Sequence, residues 1–143
     1  VTGLTLQQSI NKTLDSLKSQ GLLNSTFAFI DGTNVVSRDV GGTTKTKLCN
    51  NRGRLSGHAF AIALDINSDA YPWGSSGMAK WKKFLKWWED GDAAAGASLT
   101  YEEKMKGKVI YVFSRINHNG DFLWTQGVGF SDPHHFTLNG WIM

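Results

Sequence analysis

Apolar residues first recur at helical spacing at Leu6, Ile10, Leu14 and Leu17, which predicts an amphipathic helix over residues 5–20. Thr5 stands at its start with Gln8 three residues on, a capping-box pattern, and Gly21 is a natural stop. The short run Phe27-Ala28-Phe29-Ile30 reads as a buried strand ended by Asp31-Gly32. The turn-prone stretches Asp31-Gly32-Thr33-Asn34 and Asn50-Asn51-Arg52-Gly53 make residues 31–57 a long loop region. Long loops inside compact domains are usually functional or mobile. From Ala61 to Ile66 the chain is apolar apart from Asp65, as in a core strand.

A second helix is predicted over residues 77–90. Met78, Trp81, Leu85 and Trp88 recur on one stripe, while Lys80, Lys82, Lys83 and Lys86 point elsewhere. A tryptophan-rich stripe of this kind is more often a core face than a ligand platform. Residues 91–99, rich in alanine, glycine and serine, read as a linker loop. Thr100 and Glu103 give another capping pair, and Val109, Val112, Phe113 and Ile116 follow at helical spacing. Their β-branched content also permits a strand; a helix is the reading adopted, ended by Asn119-Gly120. Residues 121–143 alternate short apolar runs with glycine and fit two strands flanking the segment Asp132 to His135. The sum is an α+β chain, one domain over residues 1–143, without an internal repeat.

Length and composition narrow the classes. A chain of 143 residues, 41% hydrophobic and 19% charged, can bury a core without staples. One cysteine, Cys49, rules out an internal disulfide and a cysteine-rich zinc site. Any zinc is therefore left to histidine and carboxylate, the set more usual in catalytic centres. The net charge of +3 and pI near 9.1 suit an anionic polymer such as a bacterial cell wall. No lysine run interleaved with aromatics marks a nucleic-acid groove, and no stretch approaches the ~20 apolar residues of a membrane span. Val1-Thr2-Gly3 lacks both an initiator methionine and the pattern of a signal peptide, as expected of a processed or excised domain.

Candidate chemistry concentrates in two segments. Ser56-Gly57-His58 leads into the run that ends at Asp65, and Asp132-Pro133-His134-His135-Phe136 lies near the other end. Three of the four histidines of the chain fall in them. His58, Asp65 and His135, arriving from three elements, can hold zinc and leave a position open for water, whose pKa then falls to about 7. Taken alone, His58 is better read as a hydrogen-bonded core histidine and Asp65 as a strand-end cap. Asp132, three residues before His135, can take a proton from such a water and return it to a leaving amine, or can simply open a turn. His134 competes with His135, since neighbours on an extended segment face opposite ways; spacing does not choose between them. Arg38, in Ser37-Arg38-Asp39-Val40-Gly41-Gly42, can bind a carboxylate or an oxyanion, although a solvated loop arginine is the simpler reading. His118 reads as a surface turn residue. No Gly-x-Ser-x-Gly elbow and no His-Glu-x-x-His helix occurs.

These residues resemble the signature of the zinc D-alanyl-D-alanine peptidases, which share a fold with lysostaphin-type enzymes and the Hedgehog signalling domain. That signature is Ser-x-His, then Asp seven residues after the histidine, then Asp or Glu-x-x-His near the C-terminus. Ser56, His58 and Asp65 match its first part, and Asp132 and His135 its second. The resemblance implies a small antiparallel sheet with flanking helices, zinc on His58, Asp65 and His135, and Asp132 as the catalytic base. It also favours His135, directly before Phe136, over His134. Arg38 with Val40 and Gly41 is similar to the family's upstream arginine, implying contact with substrate or transition state; Ser56 joins it as a substrate-binding residue. Asp65-Ile66-Asn67 is similar to the Asp-Ile-Asn that closes the first motif in many members. Ala61 departs from the family's usual glycine, and His134 is an additional histidine. The implied activity is hydrolysis of the stem peptide of bacterial peptidoglycan by a monomer acting at the cell wall. An L-alanyl-D-glutamate endopeptidase is expected, since 143 residues leave little room to close a carboxypeptidase pocket. The alternatives are a D-alanyl-D-alanine carboxypeptidase and a non-catalytic zinc-containing wall-binding module.

Overall fold

In the computed structural model, which describes residues 2–22, 34–35 and 63–139, both capping boxes form. Helix α1 runs Leu6–Ser19, with Thr5 accepting from the Gln8 N–H and the Gln8 side chain accepting from the Thr5 N–H. Gly21 follows it in the left-handed region at φ 71°. The remaining elements are strands β1 (Asn34–Val35) and β2 (Ala63–Asp65), helices α2 (Ser75–Asp90), α3 (Ala93–Ala97) and α4 (Tyr101–Arg115), a hairpin of β3 (Asn117–His118) and β4 (Asp121–Phe122), then β5 (Trp124–Gly127) and β6 (Asp132–Leu138). A 3-10 turn, Val128–Phe130, joins β5 to β6. The described residues thus form an α+β structure with four helices and a small antiparallel sheet.

The sheet runs β1-β2-β6-β5, every pairing antiparallel. Leu64 opposes Phe136, and both are buried. Trp124 opposes Leu138 on the other flank, and both of these are buried too. Helix α4 covers this face. Phe113 meets Phe136 and Trp124 at ring-centroid distances of 5.3 and 5.7 Å, a geometry that adds to the burial of the rings themselves. Helix α1 is tied to the sheet by one long-range bond, the Trp124 indole N–H donating to the buried Thr13 hydroxyl at 3.0 Å, while Thr13 donates to the Ser9 carbonyl at 2.8 Å.

Several expectations need correction. Helix α2 starts two residues earlier than predicted, and its inward residues are Gly77, Trp81 and Phe84. Met78 and Leu85 are half-buried and Trp88 is 44% exposed. The sequence offers two apolar stripes on α2, and the partner selects one. Tyr71 and Phe84 lie so close to the α4 backbone at Gly107 that a Cβ there would stand 2.5 Å from each. Residues 91–99 are not a plain linker: Asp92 accepts from the Ala95 N–H and caps the short helix α3. The segment from Asp132 to His135 lies inside β6 rather than between two strands, because its two ends are paired, His135 with Asp65 of β2 and Asp132 with Gly127 of β5. His118 sits in the β3–β4 hairpin just before its Asn119-Gly120 turn, and α4 has already ended at Arg115. Within the region read as a long loop, Asn34–Val35 forms β1, opposite Asp65 and Leu64. The predicted strand Phe27–Ile30, the rest of residues 36–57 and Cys49 lie outside the described residues.

Candidate metal centre

Asp65 closes β2, and the chain then turns through residues 66–74 into α2. Asn67 takes the left-handed conformation at φ 55°, which asparagine tolerates. Its carbonyl accepts from the Ala70 and Tyr71 N–H groups, and its fully buried amide donates to the Lys106 carbonyl at 3.3 Å. Lys106, itself buried, pairs with Asp69 at 2.7 Å and with Glu102 at 3.0 Å. The Tyr71 hydroxyl donates to the Glu103 carbonyl at 2.7 Å, and burial pushes its pKa well above the ordinary phenol value. One connection is thereby pinned to α4 at several points, and it presents the Tyr71 carbonyl to the site.

Strand β6 supplies the remaining groups. The Ile66 N–H donates to the His134 carbonyl at 2.9 Å, extending the β2–β6 ladder past Asp65. The His134 Nδ1 donates to the Tyr71 carbonyl at 2.6 Å, which turns Nε2 toward two carboxylates. That nitrogen lies 2.9 Å from Asp132 Oδ1 and 3.8 Å from Asp65 Oδ1. Burial works against a charged ring, but Asp132, the Tyr71 carbonyl and Asp65 together raise the His134 pKa above its ordinary value of 6.5. His135 opposes Asp65 in the ladder; its Nδ1 is 3.2 Å from Asp65 Oδ1 and its Nε2 is 3.0 Å from the Thr137 hydroxyl.

The structure gathers Asp65, Asp132 and His134 into one group and sets His135 against Asp65, so the histidine that meets both acids is His134 and not the one the resemblance favours. Both histidines reach the same oxygen of Asp65, contrary to the expectation that alternation would turn one away. Asp65 ends its strand, where its carboxylate can turn, and the register between β5 and β6 shifts at Gln126/Gly127, beside Asp132. Irregularities of that kind increase local twist. Pro133, which has no N–H to give the ladder, sits at this irregularity, and its carbonyl accepts from the Gln126 amide at 2.7 Å. Ser56, His58 and Arg38 lie outside the described residues.

A cation fits this donor set. One ligand atom from each of Asp65, Asp132 and His134 lies within 4.8 Å of the others. Asp132 Oδ1 is buried without a hydrogen bond, its contact with His134 having the distance but not the geometry of one. A buried carboxylate oxygen is costly without a positive partner, and either a protonated His134 or a bound cation supplies one. The arrangement of His134, with one ring nitrogen held by a backbone carbonyl and the other facing acids, is the usual support of a metal-binding imidazole. Two oxygens and a nitrogen suit several divalent cations and do not by themselves select zinc.

Two contributors escaped the sequence reading. Thr137 stands two residues beyond His135 on the same strand, so alternation alone places both on one face. The Tyr71 carbonyl carried no signal, because any residue supplies one.

Comparison with known protein families, with curated proteins and with solved structures gives no match. Among the described residues, no helix is long and apolar enough to cross a membrane.

Proposed function

We propose that this chain is a zinc metallopeptidase with the Hedgehog/D,D-peptidase fold that hydrolyses the stem peptide of bacterial peptidoglycan, as an endopeptidase of the L-alanyl-D-glutamate type. The observation that carries the reading is the meeting of Asp65 with Asp132, His134 and His135 across the β2–β6 pairing. It is supported by the order and spacing of Ser56, His58, Asp65, Asp132 and His135 in the sequence.

In this reading His58, Asp65 and His135 hold zinc, which supplies a Lewis acid and a water of lowered pKa. Asp132 accepts a proton through its buried carboxylate and returns it to the leaving amine. His134, fixed by the Tyr71 carbonyl, stands against Asp132 and orients it. Arg38 and Ser56 hold the substrate, Arg38 by pairing with a carboxylate or the developing oxyanion.

Mass spectrometry of purified peptidoglycan, digested with and without a chelator, tests the activity. Chelator-sensitive release of new stem-peptide ends at L-alanine is the expected outcome. Release of terminal D-alanine would instead identify a carboxypeptidase, and intact muropeptides with one zinc bound per chain would identify a wall-binding module. Metal content of variants tests the roles. Asp132→Ala and His134→Ala are expected to retain zinc, with hydrolysis lost in the former, while His58→Ala and His135→Ala lose zinc and activity together. Zinc loss in Asp132→Ala and His134→Ala would move the centre to Asp65, Asp132 and His134.

A further inference from the structure

Beside the acid and imidazole cluster, two large aromatic side chains stand in solvent: Trp73 is 63% exposed and Phe130 57%. Both are fixed by their surroundings. The Trp73 indole N–H donates to the Phe130 carbonyl at 3.2 Å, and the Gly74 N–H donates to the Ser131 carbonyl at 2.8 Å. These bonds tie the connection ahead of α2 to the turn ahead of β6. The Phe130 ring lies over Gly127, where a Cβ would come within 2.8 Å of it, and meets the His135 ring edge-on at a centroid distance of 5.4 Å. One ring held in solvent by a backbone hydrogen bond and a second set against a histidine of the site form a rim on which an apolar ring face can stack.

The chemistry of the rim restricts what it takes. With its N–H committed to Phe130, Trp73 offers a ligand only ring surface. The stem peptide presents a methyl group, carboxylates and an amine, none of which covers an aromatic ring. The part of the polymer with a flat apolar face of that size is the pyranose ring that carries the stem through a lactyl ether. The L-alanyl-D-glutamate bond is separated from that sugar by one residue and the lactyl group, roughly 7 Å of extended chain, and the terminal D-alanyl bond lies about 10 Å further on. Phe130, in contact with His135, is within the shorter reach.

We infer that Trp73 and Phe130 form a sugar-stacking platform, which holds the muramic acid ring of the glycan strand while the stem is cut at its sugar-proximal bond. The inference rests on the peptidase reading, and binding and hydrolysis are followed together so that the two can fail separately. The zinc-loaded protein is titrated calorimetrically with a disaccharide-peptide and with the same stem peptide lacking sugar, and hydrolysis of both is measured. The wild type is expected to favour the disaccharide-peptide by about tenfold or more, a difference of the size aromatic contacts supply. In Trp73→Ala and Phe130→Ala that ratio falls toward one, and in Trp73→Phe part of it remains. Thermal melting of each variant verifies that it folds. A wild type that handles the two ligands equally, or a Trp73→Ala variant that keeps the ratio, overturns the platform. Hydrolysis of both ligands at one rate would overturn the platform and leave the peptidase standing. Sugar-dependent binding without hydrolysis would overturn the peptidase and leave the platform, and binding of neither ligand overturns both.

Discussion

Gly127 shows how closely the site is packed at the level of single residues. A Cβ there would stand 2.6 Å from the Asp132 carbonyl oxygen and 2.8 Å from the Phe130 ring. Its φ of −78° is ordinary, so the requirement is close approach rather than backbone freedom. Gly127→Ala is expected to push β5 from β6 at the pair that opposes Asp132, costing about 1–3 kcal/mol in a urea titration. Stability unchanged in that variant would show that the strands separate there without penalty. At this scale the sequence was partly legible. Asp65 and Asp132 were recognisable because carboxylate beside imidazole at demanding spacings is informative wherever it falls, whereas the resemblance singles out His135 and the two acids gather about His134. His134 was weighed against His135 as though a regular strand separated them, and the irregular register beside Asp132 is a property of two strands that one segment does not display.

Among the elements, α4 meets α1, α2 and the sheet. Its first turn is a capping box in which Thr100 accepts from the Glu103 N–H at 3.0 Å and Glu103 accepts from the Thr100 N–H at 2.9 Å. Thr100→Ala is expected to cost about 1 kcal/mol of stability by denaturant unfolding. Glu103 also pairs with Lys80 of α2 at 2.7 Å. Burial works to raise its pKa, but the hydrogen bonds from Lys80 and the Thr100 N–H outweigh it and hold the carboxyl below its ordinary 4.5. The stabilisation is therefore complete above pH 4.5 and is lost as pH falls through the depressed value. Glu103→Gln is expected to lower stability at neutral pH and to flatten the acid limb of the profile, measured by urea unfolding from pH 7 down. An acid limb unchanged by the substitution would remove Glu103 from that account. Both capping boxes were readable because a cap is local: four consecutive residues contain the donor and the acceptor. The inward face of α2 was not, since Phe84 is selected by Tyr71 and Gly107, which lie 13 and 23 positions away. Helix α3 was missed because alanine and glycine in a polar stretch resemble a linker until Asp92 is seen as its cap.

For the whole molecule, the candidate centre joins β2 and β6, the paired strands of the described residues that lie farthest apart in sequence, so occupancy and global stability are linked. An ion that binds only the folded chain, at a free concentration 100 times its Kd, adds about 2.7 kcal/mol. At roughly 4 °C per kcal/mol for a chain of this size, chelation is expected to lower Tm by about 10 °C, measured by calorimetry with and without chelator. An unchanged Tm, together with ion stoichiometry near zero, would remove the cation from the fold. The α+β class was legible from alternating periodicities. The sheet order β1-β2-β6-β5 was not, because a strand of two or three residues such as β1 or β2 has no periodicity to read, and only its partners define it.

Asp65 and His135 are 70 positions apart, with α2, α3, α4 and the β3–β4 hairpin between them. Those intervening helices make mostly neighbourly contacts, so they can form first, and the two flanking strands must then find each other across a chain segment whose closure costs about 4 kcal/mol in entropy. A bridge at that point is a clasp on the largest loop that strand pairing closes among the described residues. Secreted proteins commonly fasten such loops with cystine, which a chain with one cysteine cannot do within itself. A divalent ion held there by acid and imidazole would fasten it in a way that thiols and glutathione leave untouched, and that acid or a competing chelator releases.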